Sequence, residues 1–383
     1  MKIAFLSPEY PHPNFGPAGG IGSSLVHLSQ GLVQLGHPVS ILIYGQKKDA
    51  VFTENGITFY AIKNIKVKGL SLYLTQKKVS RLINRLYDED KIAILEAPDW
   101  TGFTSRLNIK CPLVLRLHGS DTYFCHLEER PVKPRNKYHE KRAFKKAAGI
   151  ISVSAFTGKL TNQLFNTNRE ITVIPNGLDL NAFSQSALTS DAKTILYFGT
   201  LIRKKGMLEL PFIFNKIIAL LPDATLVLIG SDSSDIKTGS ASTWSLMQPL
   251  FSESAAARVS YLGKVAYDDM KAHIEKAAVC VFPTFAEALP VSWIEAMAMK
   301  KAIVASNVGW ATEMITDGEN GFLVHPTDHL KFANRIVQLL LDTDQTAAFG
   351  SAARITAEEQ YDREKVAALS VSYYQQIIDT AAI

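Results

Sequence analysis

Glu287 and Glu295 stand where a short apolar run gives way to a helical pattern, in FPTFAEALPVSWIEAMAMKKAIVASNVGW from Phe282 to Trp310. The pattern predicts a strand ending at Pro283, a loop carrying Glu287, and a helix starting near Pro290 with Glu295 in its second turn. Ala296, Ala298 and Ala302 permit close packing around that helix. Its first N–H groups, at about Ala288–Ser292, lack intrahelical acceptors and sit at the positive end of the helix dipole. They form an anion site suited to a diphosphate. A carboxylate before such a helix can accept hydrogen bonds from sugar hydroxyls, and one a turn further on can reach a ribose. The same two residues also read as a loop carboxylate and a solvated helix residue.

Few other side chains suggest chemistry. His118 closes an apolar run in LRLHGSD, with Asp121 three residues on. His325 and His329 have i, i+4 spacing, but no glutamate completes an HExxH motif, so they read as surface residues. Cys111, Cys125 and Cys280 are odd in number and lack CxxC spacing, which excludes a zinc or disulfide framework and fits a reducing compartment. No metal site is expected. The loop Gly16-Pro-Ala-Gly19-Gly20-Ile-Gly22 lacks the third glycine of a dinucleotide fingerprint and lies too far past the first strand.

These residues fall within a succession of βα elements. Lys2–Ser7 is an apolar strand, Pro8–Gly22 a Gly/Pro-rich loop, and Ser23–Leu35 a helix with Leu25, Leu28, Leu32 and Leu35 on one face. Val39–Tyr44 is the next strand, followed by Ile92–Glu96, Leu113–His118 and Gly149–Val153. The pattern restarts with a strand at Thr194–Gly199, a polar turn and a helix from about Met207. Strands at Ala224–Gly230, Val259–Leu262, Val279–Pro283 and Ala302–Ser306 follow, with helices at Asp268–Lys276 and Val291–Lys300 between them. The junction falls near Ile174–Asp179, IPNGLD. The expected fold is α/β, with two Rossmann-like doubly wound domains facing across a cleft. Their boundaries are 1–178 and 179–360, with a final helix, 361–383, packing back on the first domain.

The 383 residues suit two domains. Net charge is +5, unevenly shared: residues 1–178 hold 24 Lys and Arg against 13 Asp and Glu, and the remainder 17 against 23. A basic half suggests an anionic partner, or a solvated lysine-rich face. The densest run is Lys133–Lys146, KPRNKYHEKRAFKK, which reads as an amphipathic helix with Tyr138, Phe144 and Ala148 as apolar contacts. It either docks on anionic membrane or is solvated. Nucleic acid is a poor fit, since no aromatic interleaving accompanies the charges. The N-terminus reads as a strand and not a signal peptide, and no run approaches the roughly 18 apolar residues of a membrane span. A cytoplasmic protein is expected, associated with the inner face of the membrane through its basic half.

The spacing Glu287-x7-Glu295, then a helix, a VAS strand and the turn Asn320-Gly321-Phe322-Leu323-Val324, resembles family 4 of the retaining GT-B glycosyltransferases. The Gly19-Gly20 loop, His118-Gly119, Pro175-Asn176-Gly177 with Asp179, and Gly199 with Lys205-Gly206 occur in the family's order. The resemblance implies a metal-independent hexosyl transfer from a UDP- or GDP-sugar to a glycan or lipid-linked acceptor, in bacterial cell-surface polysaccharide assembly. It implies that Glu287 binds the sugar hydroxyls and that Ala288, Leu289, Pro290 and Val291 hold sugar and phosphate through their backbone. Glu295 would bind the ribose, Lys205 and a nearby arginine the diphosphate, and the backbone near Val265 the base. His118 would line the sugar site, Gly19 and Gly20 would admit the donor, and Asn176 would belong to a hinge. Similar enzymes often carry arginine directly after the glycine of the phosphate turn. Here Thr200 stands there, and Arg203 is the expected substitute. A sugar-nucleotide epimerase and a non-catalytic glycan- or lipid-binding partner are the competing readings.

Overall fold

A computed structural model describes residues 1–16, 18–183, 191 and 193–381; Pro17, in the Gly/Pro-rich loop, lies outside them. The chain divides into two compact units, Met1–Leu178 with Gln360–Ile383, and Asp179–Glu359.

The first unit is built on eight strands: β1 (Ile3–Ser7), β2 (Val39–Gln46), β3 (Ala50–Glu54), β4 (Ile57–Lys63), β5 (Ile94–Pro98), β6 (Leu113–Leu117), β7 (Gly149–Ser152) and β8 (Thr172–Val173). They lie in the order β3-β4-β2-β1-β5-β6-β7-β8, all parallel except β3 against β4. β1 is buried along its whole length, as a strand covered on both faces must be. Ile3 and Phe5 pack with Leu25, Leu28 and Leu32 of helix α1 (Gly20–Gln34), while Ala4 and Leu6 pack with Val79, Ile83 and Leu86 of helix α2 (Ser71–Asp88). The C-terminal helix Arg363–Ala381 shares the first of these faces through Val366, Ala367 and Tyr374. Helices α3 (Asp121–Leu127) and α4 (Pro134–Lys146) follow β6.

The second unit has six parallel strands: β9 (Thr194–Phe198), β10 (Thr225–Ile229), β11 (Val259–Tyr261), β12 (Val279–Phe282), β13 (Ala302–Ser306) and β14 (Phe322–Val324). Their order is β11-β10-β9-β12-β13-β14. In both sheets the chain steps outward from its first strand, returns, and continues on the other side. The loops after the first strand and after the strand that resumes beside it therefore diverge, and ligands collect at such a switch point.

Several elements differ from the sequence expectation. α1 begins at Gly20 instead of Ser23, because the Glu9 carboxylate accepts the Gly22 N–H at 2.9 Å and caps the extra turn. The β3–β4 hairpin was not anticipated, although Asn55 and Gly56 take φ of 50° and 77°, the two positive values of a tight hairpin turn. Phe322–Val324 is a strand, and the turn before it is Gly318–Asn320, closed by a bridge between Asp317 and Gly321. The helix expected from Met207 begins at Leu210, after a short 3-10 turn at Arg203–Lys205.

Candidate active site

In the second unit the two loops at the switch point are stitched together. The turn after β9 carries Thr200, Arg203, Lys204 and Lys205; the loop after β12 carries Glu287. Phe285 N donates to Lys204 O at 2.8 Å, which holds one loop on the other. Gly206 ends the turn at φ +73°, and a Cβ there would lie 1.8 Å from Pro283 O, so only glycine lets the turn lie against the end of β12. The result is an ion pair, Lys205 Nζ 2.9 Å from Glu287 Oε1, with side chains 21% and 16% exposed. Burial alone would raise the Glu287 carboxyl; the charges of Lys205 and then Lys204 outweigh it and hold the group below the usual range. The carboxylate is ionised at neutral pH.

Beyond Glu287, the buried residues Ala288 and Leu289 lead to Pro290, which caps the helix Val291–Ala298 without a side-chain hydrogen bond. The first N–H groups of this helix are the anion-binding kind. Glu295 lies on the helix and is 7% exposed, so it is no solvated helix residue. The Thr200 carbonyl accepts from the Tyr197 hydroxyl at 2.9 Å. Val265 lies in the loop after β11, two strands from β9. Arg203 is paired: its Nε and Nη2 donate to Asp235 at 2.7 and 2.8 Å, and Asp235 also accepts from the Thr238 N–H and hydroxyl. The Asp235 carboxyl is held far below the usual range, chiefly by its bond from Arg203. Asp235 was not singled out in the sequence; nothing in its spacing marks it.

In the first unit, Gly19 is the extended N-cap of α1 and Gly20 its first residue, with open space where a Gly20 Cβ would stand. His118 follows β6 and is half-buried. Burial, aided by the Arg116 charge, lowers its pKa to about 3, so the imidazole is neutral. The His118 backbone N–H donates to Asp99 Oδ1 at 3.0 Å. Asp99, at the end of β5, is 3% exposed, and burial raises its carboxyl to about 7. The sequence does signal it, since LEAPDW places an acid directly after an apolar strand.

Beneath His118 lies a buried network. Arg116 Nε and Nη2 donate to the two Glu96 oxygens at 2.8 and 3.1 Å, and the Tyr374 hydroxyl donates to Glu96 at 2.5 Å. A small pocket is lined by this pair, Ser7, Ser24 and His118. Asn176 is fastened to α1, accepting from the Ser24 hydroxyl at 2.7 Å.

The basic run is α4. Phe144 is buried, whereas Tyr138 and Ala148, expected as apolar contacts, are exposed, because Ala143 and Phe144 take the inward face. Glu140, its one acid, is buried and accepts the Asp121 and Thr122 N–H groups. His325 and His329 bond to Thr327 and Glu209 respectively. No group of three or more His, Cys, Asp or Glu placed for a metal occurs among the described residues, and none of their helices is long and apolar enough to cross a membrane.

The chain is similar to known proteins along most of its length. Residues 192–342 match the family described as Glycosyl transferases group 1, and residues 18–182 match Glycosyltransferase Family 4. The chain is 26% identical to a phosphatidyl-myo-inositol mannosyltransferase from Mycobacterium tuberculosis, over 100% of this chain and 98% of the relative. Among solved structures, sucrose-phosphate synthase from Thermosynechococcus elongatus superposes with a TM-score of 0.79 at 20% identity, covering 99% and 100% of the two chains. The Anabaena protein HepE, in complex with UDP and glucose, gives 0.76 at 21% identity, covering 98% and 99%. The chain has the GT-B fold, two Rossmann-like α/β domains, and it belongs to the family 4, group 1 glycosyltransferases.

Proposed function

We propose that this transferase moves a hexosyl group from a UDP- or GDP-sugar to a glycan or lipid-linked acceptor, with retention and without a bound metal. The observation that carries the reading is the Lys205–Glu287 pair at the switch point, directly before the open N-terminus of the Val291–Ala298 helix. Breaking the anomeric C–O bond builds charge on the departing diphosphate. A fixed cation and aligned N–H groups stabilise that charge where it develops. The Glu287 carboxylate and the backbone of Ala288, Leu289, Pro290 and Val291 serve the sugar, Glu295 the ribose, and Val265 the base. Lys205 is the principal cation, with Arg203 supplementing it from its Asp235 anchor. The acceptor hydroxyl attacks from the leaving-group face and its proton passes to the departing phosphate. A neutral His118 suits a site where positive charge develops on the sugar, because an imidazolium would oppose it. Gly19 and Gly20 leave room beside the donor.

The basic first unit supports work on acceptors at an anionic membrane, through the exposed Lys137 and Lys145 of α4 and Lys133 at its N-cap. Cell-surface polysaccharide assembly on the cytoplasmic face is the setting this suggests. The test is nucleotide release across a panel of UDP-, GDP- and ADP-sugars. Lys205→Ala and Glu287→Ala should each lose about 100- to 1,000-fold in transfer while the protein still folds, with a single cooperative melting transition. Wild-type turnover in either variant would sink the assignment.

A further inference from the structure

The first unit holds another pocket, of about 600 Å³, that the chemistry above does not use. It lies among the first turns of α2, the end of the short helical segment Trp100–Arg106, and the first half of α4. Crossover helices of a parallel sheet begin near the carboxyl ends of the strands. The pocket therefore opens at the same edge of the sheet as His118 and Asp99.

Its lining is unusual in three ways. Gln76, 1% exposed, lies against it. Its Nε2 donates to Phe103 O at 2.7 Å, and its Oε1 accepts no hydrogen bond among the described residues. A buried acceptor left so is costly, because it has given up its water without a replacement donor. Tyr73 and Tyr138 are 47% and 53% exposed, large aromatic surfaces left to solvent. Arg106 and Arg135 are exposed and form no ion pair among the described residues, and no acidic side chain lines the pocket. Both guanidiniums act on His139, whose pKa is lowered by burial and then by the neighbouring arginine charges, so it adds no further positive charge beside them.

Each feature asks for a different part of one ligand. The guanidiniums ask for a carboxylate, which they bind with matched geometry. The exposed rings offer flat apolar faces to the C–H faces of a pyranose. The Gln76 acceptor asks for a donor, which a hydroxyl supplies. A bare phosphate would use the cations and leave rings and acceptor idle. We propose that this pocket is a saccharide subsite for an acidic sugar, a pyranose bearing a carboxylate, in the acceptor chain. The inference rests on the reading of the protein as a transferase onto glycans.

Direct binding to the whole protein, followed by ligand-observed NMR, tests it. The probes are oligoglucuronate and oligogalacturonate, their neutral methyl esters, and inorganic phosphate. At least one acid should bind about tenfold or more tightly than its ester. The double variant Arg106→Ala/Arg135→Ala should erase that preference, and Tyr73→Ala/Tyr138→Ala should weaken acid and ester alike. Both variants should keep the wild-type melting transition and wild-type nucleotide release from donor alone. An acid preference that is absent, or that survives loss of both arginines, overturns the proposal. So does phosphate displacing the acids with no effect of the tyrosine variant, the mark of a simple anion site. Failure of the transferase reading has a separate signature: no nucleotide release from any donor by the wild-type protein.

Discussion

The two sheets place comparable loops at their switch points, yet fill them with opposite electrostatics. In the second unit the loops after β9 and β12 carry Lys205 and Glu287, ionised and paired at 2.9 Å. In the first, the loops after β1 and β5 carry glycines and Asp99, a carboxyl raised to about 7, with the neutral His118 one strand further on. The difference follows from burial and neighbours. Glu287 has two lysines in adjacent turns to offset its desolvation, whereas Asp99 has backbone N–H groups and the unfavourable charge of Glu140. One topology thus yields a half-site with a paired lysine and carboxylate, suited to a diphosphate, and another whose buried histidine is neutral and whose buried acid is held partly protonated. The charge of the first unit is stored deeper, in the Glu96–Arg116–Tyr374 network.

That contrast can be broken at its strongest point first. Removing one partner of a buried ion pair leaves the other uncompensated, at about 3–5 kcal/mol. Arg116→Met should therefore lower the melting temperature of the first unit by several degrees or more. Nucleotide binding by the second unit, read by calorimetry, should persist; its loss would show that the half-sites are not independently built.

A smaller effect is expected from Gly206→Ala. The added Cβ must push the Lys205 turn off Pro283, and transfer should fall about 10- to 100-fold, with a lesser loss of stability. Unchanged transfer would mean that the Lys205–Glu287 contact does not depend on this close approach.

The mildest change concerns pH. Folding raises the Asp99 carboxyl from its ordinary range to about 7, so the folded state holds this proton more tightly than the unfolded chain. The associated stability is fully present at pH 3 and is lost as pH rises through about 7. Asp99→Asn can still accept the His118 N–H, but it carries no such proton. Its melting temperature relative to wild type should rise between pH 4 and 8. A constant difference across that range would refute the buried, protonated acid.

Much of the charged half-site was legible in the sequence because its parts lie close together in the chain. Glu287, the helix start at Pro290 and Glu295 are set within nine residues, and periodicity alone finds a strand, a loop and a helix there. The β3–β4 hairpin is equally local, marked by Asn55-Gly56, but β3 is a half-exposed edge strand and lacks the apolar run that signals the other strands. The cap from Glu9 and the extra turn of α1 were not legible, since a side chain on the preceding loop supplies the acceptor.

Long-range partners made the remaining decisions. The sequence alone determined two βα arrays, a basic and an acidic half, and the residues around Glu287 that carry the family likeness. Only the tertiary structure decided that Lys205 meets Glu287 across 82 positions and that Arg203 is committed to Asp235. It also decided that His118 is neutral and that Arg106, Arg135 and Gln76 surround one pocket. The reason is physical: periodicity records which face of an element is buried, whereas charge state and pairing depend on desolvation and on neighbours that the chain brings together only when it folds.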